Sequence, residues 1–168
     1  ILSLPTLLEG EVAERIVDAV PCAEQVRFAK NGTDATLAAV RIARSVTGRE
    51  HVAKCGYHGW SDWHAITMRP AGVPKAMADI VHEFTYNDLT SLEAILMQHQ
   101  CAAIIMEPQA LTPPVHGFLE GVRSLATKHG AVLIFDEVVT GFRWAYGGAQ
   151  QHYGVTPDLT CLGKAMAN

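Results

Sequence analysis

The sequence has no excess of positive charge. Thirteen lysine and arginine residues stand against 17 aspartate and glutamate residues, and the formal net charge of the 168-residue chain is −4. Proteins that bind nucleic acids neutralise phosphate groups with clustered basic side chains. The shortage of such side chains argues against a nucleic acid as the partner.

The sequence also lacks long apolar runs. The longest, residues 101–106 and 131–135, are far shorter than the roughly 20 residues that cross a bilayer as a helix. Residues 1–5 carry no basic stretch and no small-residue cleavage site, and they do not begin with methionine. We therefore expect no membrane-spanning segment and no secretory signal in this sequence, and we expect the N-terminus to be an arbitrary cut.

Cysteine is scarce and scattered. Cys22, Cys55, Cys101 and Cys161 lie too far apart for the paired spacing of a metal site, so the sequence predicts no metal centre. Three of the four sit in apolar stretches, which favours buried, reduced thiols and a cytoplasmic location. The remaining composition, 49% hydrophobic with 14 glycines and 8 prolines, is that of one ordinary globular domain.

Helical and strand periodicities alternate along the chain. Helices are predicted over residues 11–20, 37–46, 92–99 and 118–129. Residues 90–93 form a capping-box pattern, and Gly130 is a candidate left-handed C-cap. Strands are predicted over residues 25–30, 51–55, 80–85, 102–106, 131–135 and 159–162. Because several of these strands are apolar on both faces, the pattern predicts an α/β fold with a mainly parallel sheet flanked by helices.

Candidate ligand-binding residues follow the predicted strands, since such sheets bind ligands beyond the carboxyl ends of their strands. Gly32 and Thr33 lie where a strand passes into a helix, and backbone N–H groups there can hold an anion such as phosphate. Alternatively, Gly32 only makes the turn and Thr33 only caps the helix. Tyr57 can stack on a planar ligand or, together with Trp60 and Trp63, fill the core beneath its loop.

Acidic residues and one lysine follow the later strands. Asp136 ends the most apolar strand, and a buried carboxylate needs a cationic or hydrogen-bonding partner such as a protonated ring nitrogen. A local cap is the alternative for Asp136, while Glu107 and Glu137 could contact the ligand or support a loop. Partial burial of Lys164 would lower the pKa of its amine and favour attack on a carbonyl carbon. A lysine that simply reaches solvent is the alternative.

Together these candidates supply four chemical groups. They are an anion cradle at Gly32 and Thr33, a stacking ring at Tyr57, a carboxylate at Asp136 and an amine at Lys164. Pyridoxal 5′-phosphate (PLP) uses all four, because its phosphate, its pyridine ring, its ring nitrogen and its aldehyde each need one of them. We therefore predict a PLP site at the carboxyl ends of the strands.

Five motifs resemble one enzyme family. They are Asn31-Gly32-Thr33-Asp34-Ala35, Tyr57-His58-Gly59, Glu107-Pro108, Phe135-Asp136-Glu137-Val138-Val139-Thr140-Gly141-Phe142-Arg143 and Leu162-Gly163-Lys164. In this order they resemble the class III (ornithine/GABA-type) PLP-dependent aminotransferases. The fourth motif and the segment Tyr86-Asn87-Asp88-Leu89 are most similar to the branch that contains glutamate-1-semialdehyde 2,1-aminomutase.

The resemblance implies a PLP-dependent transferase of fold type I that acts on a small amino acid or amino aldehyde. Residues 1–168 would be an internal fragment that forms part of its large, cofactor-binding domain and lacks the N-terminal segment, the end of that domain and the C-terminal small domain. The active sites would lie at a homodimer interface. The residues that it places at the cofactor are Gly32, Thr33, Tyr57, His58, Glu107, Asp136, Val138 and Lys164. Asp136 and Lys164 would be catalytic, with Asp136 paired to the pyridine nitrogen and Lys164 forming the Schiff base. Val138 would pack on the ring face opposite Tyr57.

The predicted function is the transfer of an amino group by an aminomutase-like aminotransferase. One alternative is a glutamate-1-semialdehyde 2,1-aminomutase, which moves the amino group within one molecule to give 5-aminolevulinate. The other is a non-catalytic α/β module that binds a phosphorylated ligand. We expect the isolated chain to be inactive, because an incomplete fold cannot hold the site rigidly.

Overall fold

The strands form one parallel sheet. The computed structural model describes residues 6–166, so the expectation for residues 1–5 lies outside the described residues. The strands are β1 (His51–Cys55), β2 (Val81–Glu83), β3 (Cys101–Met106), β4 (Val132–Glu137) and β5 (Leu159–Leu162). They lie in the order β2-β1-β3-β4-β5, and each neighbouring pair is parallel. The predicted α/β fold is confirmed.

Helices connect the strands. Within the described residues they are α1 (Leu7–Ala19), α2 (Gly32–Thr47), α3 (Asp62–Ala65), α4 (Leu89–Gln98), α5 (Phe118–His129) and α6 (Gly148–Tyr153), with short 3-10 helices at Lys75–Asp79 and Lys164–Met166. Gly130 ends α5 in the left-handed conformation, with φ +62°, as predicted. None of the helices found between residues 6 and 166 is long and apolar enough to cross a membrane.

Helices cover both faces of the sheet. One face packs against α2 through a cluster that includes Val40, Val52 and Ile134. The other face packs against α4 and α5 through a cluster that includes Leu92 and Leu133. Full burial of each such aliphatic side chain contributes about 1.5–3 kcal/mol. Successive side chains of a strand point to opposite faces, so neighbouring residues of β4 enter different layers.

Two local predictions are wrong. Residues 25–30 form no strand, and none of the described strands pairs with them. The alternation there arises because Val26 packs against buried residues at the end of α1, such as Ile16, and not because the segment belongs to the sheet. The capping box at residues 90–93 is absent because α4 begins earlier, where the Asp88 carboxylate accepts the backbone N–H groups of Thr90 and Ser91 at 2.9 and 3.2 Å.

The strand order creates a switch point between β1 and β3. From β1 the chain moves to β2 on one side and then returns to β3 on the other side. The connections that leave β1 and β3 therefore run in opposite directions and open a crevice at the carboxyl ends of these strands. In open α/β sheets this crevice is where ligands bind.

Candidate active site

One cavity of about 1090 Å³ opens at this end of the sheet. Its lining includes all eight residues that the sequence places at a cofactor, namely Gly32, Thr33, Tyr57, His58, Glu107, Asp136, Val138 and Lys164. These residues come from distant segments of the chain: they begin α2, lie near the end of β4, or follow one of the strands β1, β3, β4 and β5. The fold therefore brings every predicted site residue to the same cavity.

The first turn of α2 presents backbone donors at the edge of the cavity. Asn31 caps this helix, because its Oδ1 accepts the N–H of Asp34 at 3.0 Å. The alternative in which Thr33 is the cap is therefore wrong. The first N–H groups of an α-helix have no acceptor within the helix, and those of Gly32 and Thr33 carry the positive end of its dipole. The arrangement can hold an anion.

Gly59 allows the loop after β1 to lie in close contact with the first turn of α2. Its φ is +99°, and a Cβ at this position would lie 2.5 Å from Thr33 Oγ1. Glycine tolerates both the left-handed conformation and the close contact. The hydroxyl of Thr36, which is buried, donates to the His58 carbonyl oxygen at 2.8 Å. These contacts join the loop after β1 to the start of α2.

Asp136 forms a buried pair with His58. Asp136 Oδ2 lies 2.8 Å from His58 Nδ1, and Asp136 Oδ1 accepts the N–H of Val138 at 3.1 Å. His58 Nε2 lies 3.0 Å from the carbonyl oxygen of Cys55. Both ring nitrogens of His58 thus face hydrogen-bond acceptors, the Asp136 carboxylate on one side and the Cys55 carbonyl oxygen on the other. Asp136 is only 5% exposed, and that exposed part lines the cavity.

Two further rings support His58 from the interior. Trp63 stacks on His58 with an interplanar angle of 12°. His64 Nε2 accepts the backbone N–H of His58 at 3.3 Å. Burial, together with the positive charges of Lys54 and His58, lowers the pKa of His64 to about 3. His64 is therefore a neutral acceptor.

Glu107 fixes the start of the loop after β1. Its Oε1 accepts the N–H of Tyr57 at 3.2 Å and would lie 3.0 Å from a Cβ at Gly56. Burial raises the pKa of the Glu107 carboxyl, and the Tyr57 N–H opposes this shift. Tyr57 is 59% exposed and lines the cavity, whereas Trp63 is buried. The alternative in which Tyr57 fills the core is therefore wrong.

Val138 occupies a slot between two glycines. A Cβ at Gly32 would lie 3.0 Å from Val138 Cγ2, and one at Gly163 would lie 3.3 Å from Val138 Cγ1. Side chains at either glycine would push against the isopropyl group, since both distances are shorter than ordinary van der Waals contact. Val138 thus lines the cavity between the start of α2 and the end of β5.

Lys164 has an unusual backbone conformation. It directly follows the β5 loop residue Gly163, and its φ of +43° is in the left-handed region, which non-glycine residues rarely adopt. Such strain is most common at functional sites. The residue lines the same cavity as Asp136 but is exposed, so the partial burial expected from the sequence is wrong.

Comparison with known proteins identifies the family. The aminotransferase class-III model matches residues 4–168. This chain belongs to the class-III aminotransferase family. It is 48% identical to glutamate-1-semialdehyde 2,1-aminomutase of Pelotomaculum thermopropionicum, with 96% of this chain and 42% of the relative covered. It is 42% identical to 3-aminobutyryl-CoA aminotransferase of Cloacimonas acidaminovorans, with 99% and 42% covered.

A solved structure agrees with this assignment. A transaminase described as having PLP bound matches this chain with a TM-score of 0.90 and 31% identity, and the match covers 97% of this chain and 42% of the other. The chain thus spans about 42% of the length of the curated relatives it matches.

Glu137 holds the loop that follows β4 in place. It is fully buried, and its carboxylate accepts hydrogen bonds from the Thr140 hydroxyl at 2.9 Å, the Gln150 side-chain amide at 2.9 Å and the backbone N–H groups of Ala149 and Gln150. Four donors compensate the loss of solvation. Asp136 and Glu137 point to opposite faces of β4, so Asp136 borders the cavity while Glu137 holds residues 138–150 behind it.

The buried lysine Lys54 was not predicted from the sequence. This lysine lies on β1 and is fully buried, with Nζ 3.1 Å from Glu83 Oε1 and 3.4 Å from the Gly56 carbonyl oxygen. Its charge contributes to the low pKa of His64. The available signal was a single charged residue inside an otherwise apolar strand, which indicates a paired, buried charge.

Proposed function

We propose that the protein containing this chain is a PLP-dependent aminotransferase or aminomutase that acts on a small amino acid or amino aldehyde. The observation that carries the proposal is that eight residues, chosen from the sequence for one cofactor, line one cavity. Residues 1–168 supply part of the cofactor-binding domain. The remaining walls come from the rest of the protein and from a second subunit of a cytoplasmic homodimer.

The start of α2 fits a phosphate group. The N–H groups of Gly32 and Thr33 and the Thr33 hydroxyl offer donors at the positive end of a helix dipole. The close contact between Gly59 and Thr33 keeps this turn in place, since a side chain at position 59 would displace the hydroxyl. These residues would bind the cofactor phosphate and set its position.

Asp136 fits the ring nitrogen of the cofactor. Each of its oxygens already accepts one hydrogen bond, from His58 or from Val138, and retains further acceptor capacity. The Asp136 carboxylate can therefore accept a further hydrogen bond, from a proton on the ring nitrogen of the cofactor. Val138 and the exposed ring of Tyr57 would confine the ring between them. When bound, PLP supplies an electron sink that stabilises a carbanion at the substrate carbon.

Lys164 fits the role of the amine. It lies two residues after the end of β5, has a positive φ, and lines the cavity that Asp136 also borders. We propose that its amine holds the cofactor covalently in the resting enzyme. When free, the same amine would move a proton to and from the reacting carbon of the substrate. Its exposed position leaves the amine accessible to that carbon.

Catalysis by the full-length protein with added PLP tests the proposal. Glutamate 1-semialdehyde is supplied alone, and then amino donors are paired with keto acids. Formation of 5-aminolevulinate without a donor supports the aminomutase, and dependence on a donor and a keto acid supports the aminotransferase. Lys164→Ala is expected to abolish either reaction. Absence of both reactions in the wild type, or full activity of Lys164→Ala, would contradict the proposal.

A further inference from the structure

Three histidines from three elements meet outside the cofactor cavity. His51 is the first residue of β1, His82 lies on the edge strand β2, and His99 directly follows α4. One ring nitrogen of each lies within 4.8 Å of those of the other two. None of the three lines the cavity described above. The group, called here the histidine cluster, is therefore a separate feature of the fold.

The rings are already in contact. His51 Nδ1 lies 2.9 Å from His82 Nε2. The ring centroids of His82 and His99 are 3.9 Å apart with an interplanar angle of 9°, and those of His51 and His99 are 4.8 Å apart. Two imidazole nitrogens at 2.9 Å share either a proton or a metal ion. The third ring stands next to that pair.

The cluster offers imidazole nitrogens as its donors. All three residues are half-buried. Each neutral imidazole has one lone pair, and metals bind this neutral form. Among residues 6–166 no carboxylate or thiol joins the group, so its donors are nitrogens alone.

We propose that His51, His82 and His99 bind one divalent transition-metal ion, with Zn²⁺ as its natural occupant. Imidazole donors suit Zn²⁺ and its neighbours rather than Mg²⁺ or Ca²⁺, which prefer oxygen. Zn–N bonds of about 2.0–2.1 Å place two ligands of a tetrahedral site about 3.3 Å apart. His51 Nδ1 and His82 Nε2 are near that spacing, whereas the His99 nitrogen, which lies within 4.8 Å of them, would have to move closer to bind the same ion. Three protein ligands leave a fourth position for water.

The ion would fasten the edge of the sheet. β2 is a three-residue edge strand, and its register with β1 includes the pair Ala53 and His82. A metal held by His51, His82 and His99 links β1, β2 and the end of α4 at a single point. Because the folded chain binds the ion and the unfolded chain has no such arrangement, Zn²⁺ raises the unfolding temperature.

Metal titration of the full-length protein tests this proposal. The protein is treated with chelator and titrated with Zn²⁺ against a chromophoric competitor, and Co²⁺ spectra report the coordination geometry. One Zn²⁺ per chain and tetrahedral Co²⁺ bands are expected. Loss of an outer-shell partner already costs about 10- to 100-fold in metal affinity, so His82→Ala and His99→Gln are expected to weaken Zn²⁺ binding by about 100-fold or more.

The control is His116→Ala, because His116 is exposed and outside the cluster. It is expected to bind Zn²⁺ like the wild type. Far-ultraviolet circular dichroism verifies that each variant is folded, and His99→Gln, at a helix end, keeps the test usable if His82→Ala unfolds. The proposal is overturned if the wild type binds no Zn²⁺, or if the folded cluster variants bind it as tightly as His116→Ala. Both readouts are independent of catalysis, so they stand apart from the proposed function.

Discussion

Removal of the His58 ring tests how strongly the buried pair organises the site. His58→Ala leaves the Asp136 carboxylate with the Val138 N–H as its remaining hydrogen-bond donor, and it also leaves the Cys55 carbonyl oxygen without the ring nitrogen. The side chain of His58 is fully buried and that of Asp136 is 6% exposed. Loss of one partner of such a pair costs about 3–5 kcal/mol. We expect the free energy of unfolding of His58→Ala to fall by this amount.

A double-mutant cycle separates the pair from the lost packing. Asp136→Asn removes the charge, so the double variant His58→Ala/Asp136→Asn is expected to lose less than the sum of the two single variants, by about 1–3 kcal/mol. Urea unfolding of the four proteins measures these values, and His116→Ala serves as a surface control expected within about 0.5 kcal/mol of the wild type. A loss below about 1 kcal/mol in His58→Ala, with additive effects, would refute the reasoning.

Three further changes test other parts of the site. Gly59→Ala is expected to lower the unfolding temperature more than Gly72→Ala, because both glycines have positive φ but only Gly59 faces a close contact; equal losses would exclude that contact. In urea unfolding, Glu83→Gln is expected to lower the free energy of unfolding more than Lys54→Met, because it leaves the fully buried lysine without its ionic partner, whereas Glu83 itself is 49% exposed. The reverse order would contradict this. Burial raises the pKa of the Glu107 carboxyl, so folding favours its protonated form and that stabilisation is lost as the pH rises through the folded pKa. The free energy of unfolding of Glu107→Gln should therefore fall less than that of the wild type as the pH rises above about 4.3, measured by unfolding across a pH series. The same pH dependence in both proteins would contradict this.

The sheet could be predicted from the sequence because burial on both faces leaves a local signal. β1 and β5 have the predicted bounds, 51–55 and 159–162, and β3 and β4 differ by one or two residues. The same signal misled at residues 25–30, because alternation records which side chains are buried and not whether a neighbouring strand is available for pairing. Pairing is decided by contacts between distant residues.

The site could be predicted as a set of residues but not as a geometry. Asp136 and Lys164 could be placed at the same edge of the sheet because each lies near the carboxyl end of a predicted strand, and these ends meet at one edge in a parallel sheet. The partner of Asp136 was not predictable, because His58 and Asp136 are 78 residues apart. The same holds for the histidine cluster, whose members lie on three elements with no metal-ligand spacing between them. The exposure of Lys164 was missed because an apolar sequence neighbourhood does not fix what packs around a side chain.

The most direct measurement of the central claim is to locate the covalently held cofactor. The full-length protein is incubated with PLP and reduced with borohydride, and the labelled peptide is identified by mass spectrometry in the wild type, Lys164→Ala and Lys30→Ala. Lys30 is the matched control because it is an exposed lysine that lines the same cavity. The account predicts a label on Lys164 in the wild type and in Lys30→Ala, and none in Lys164→Ala. A label on Lys30, or equal labelling of Lys164→Ala, would contradict it.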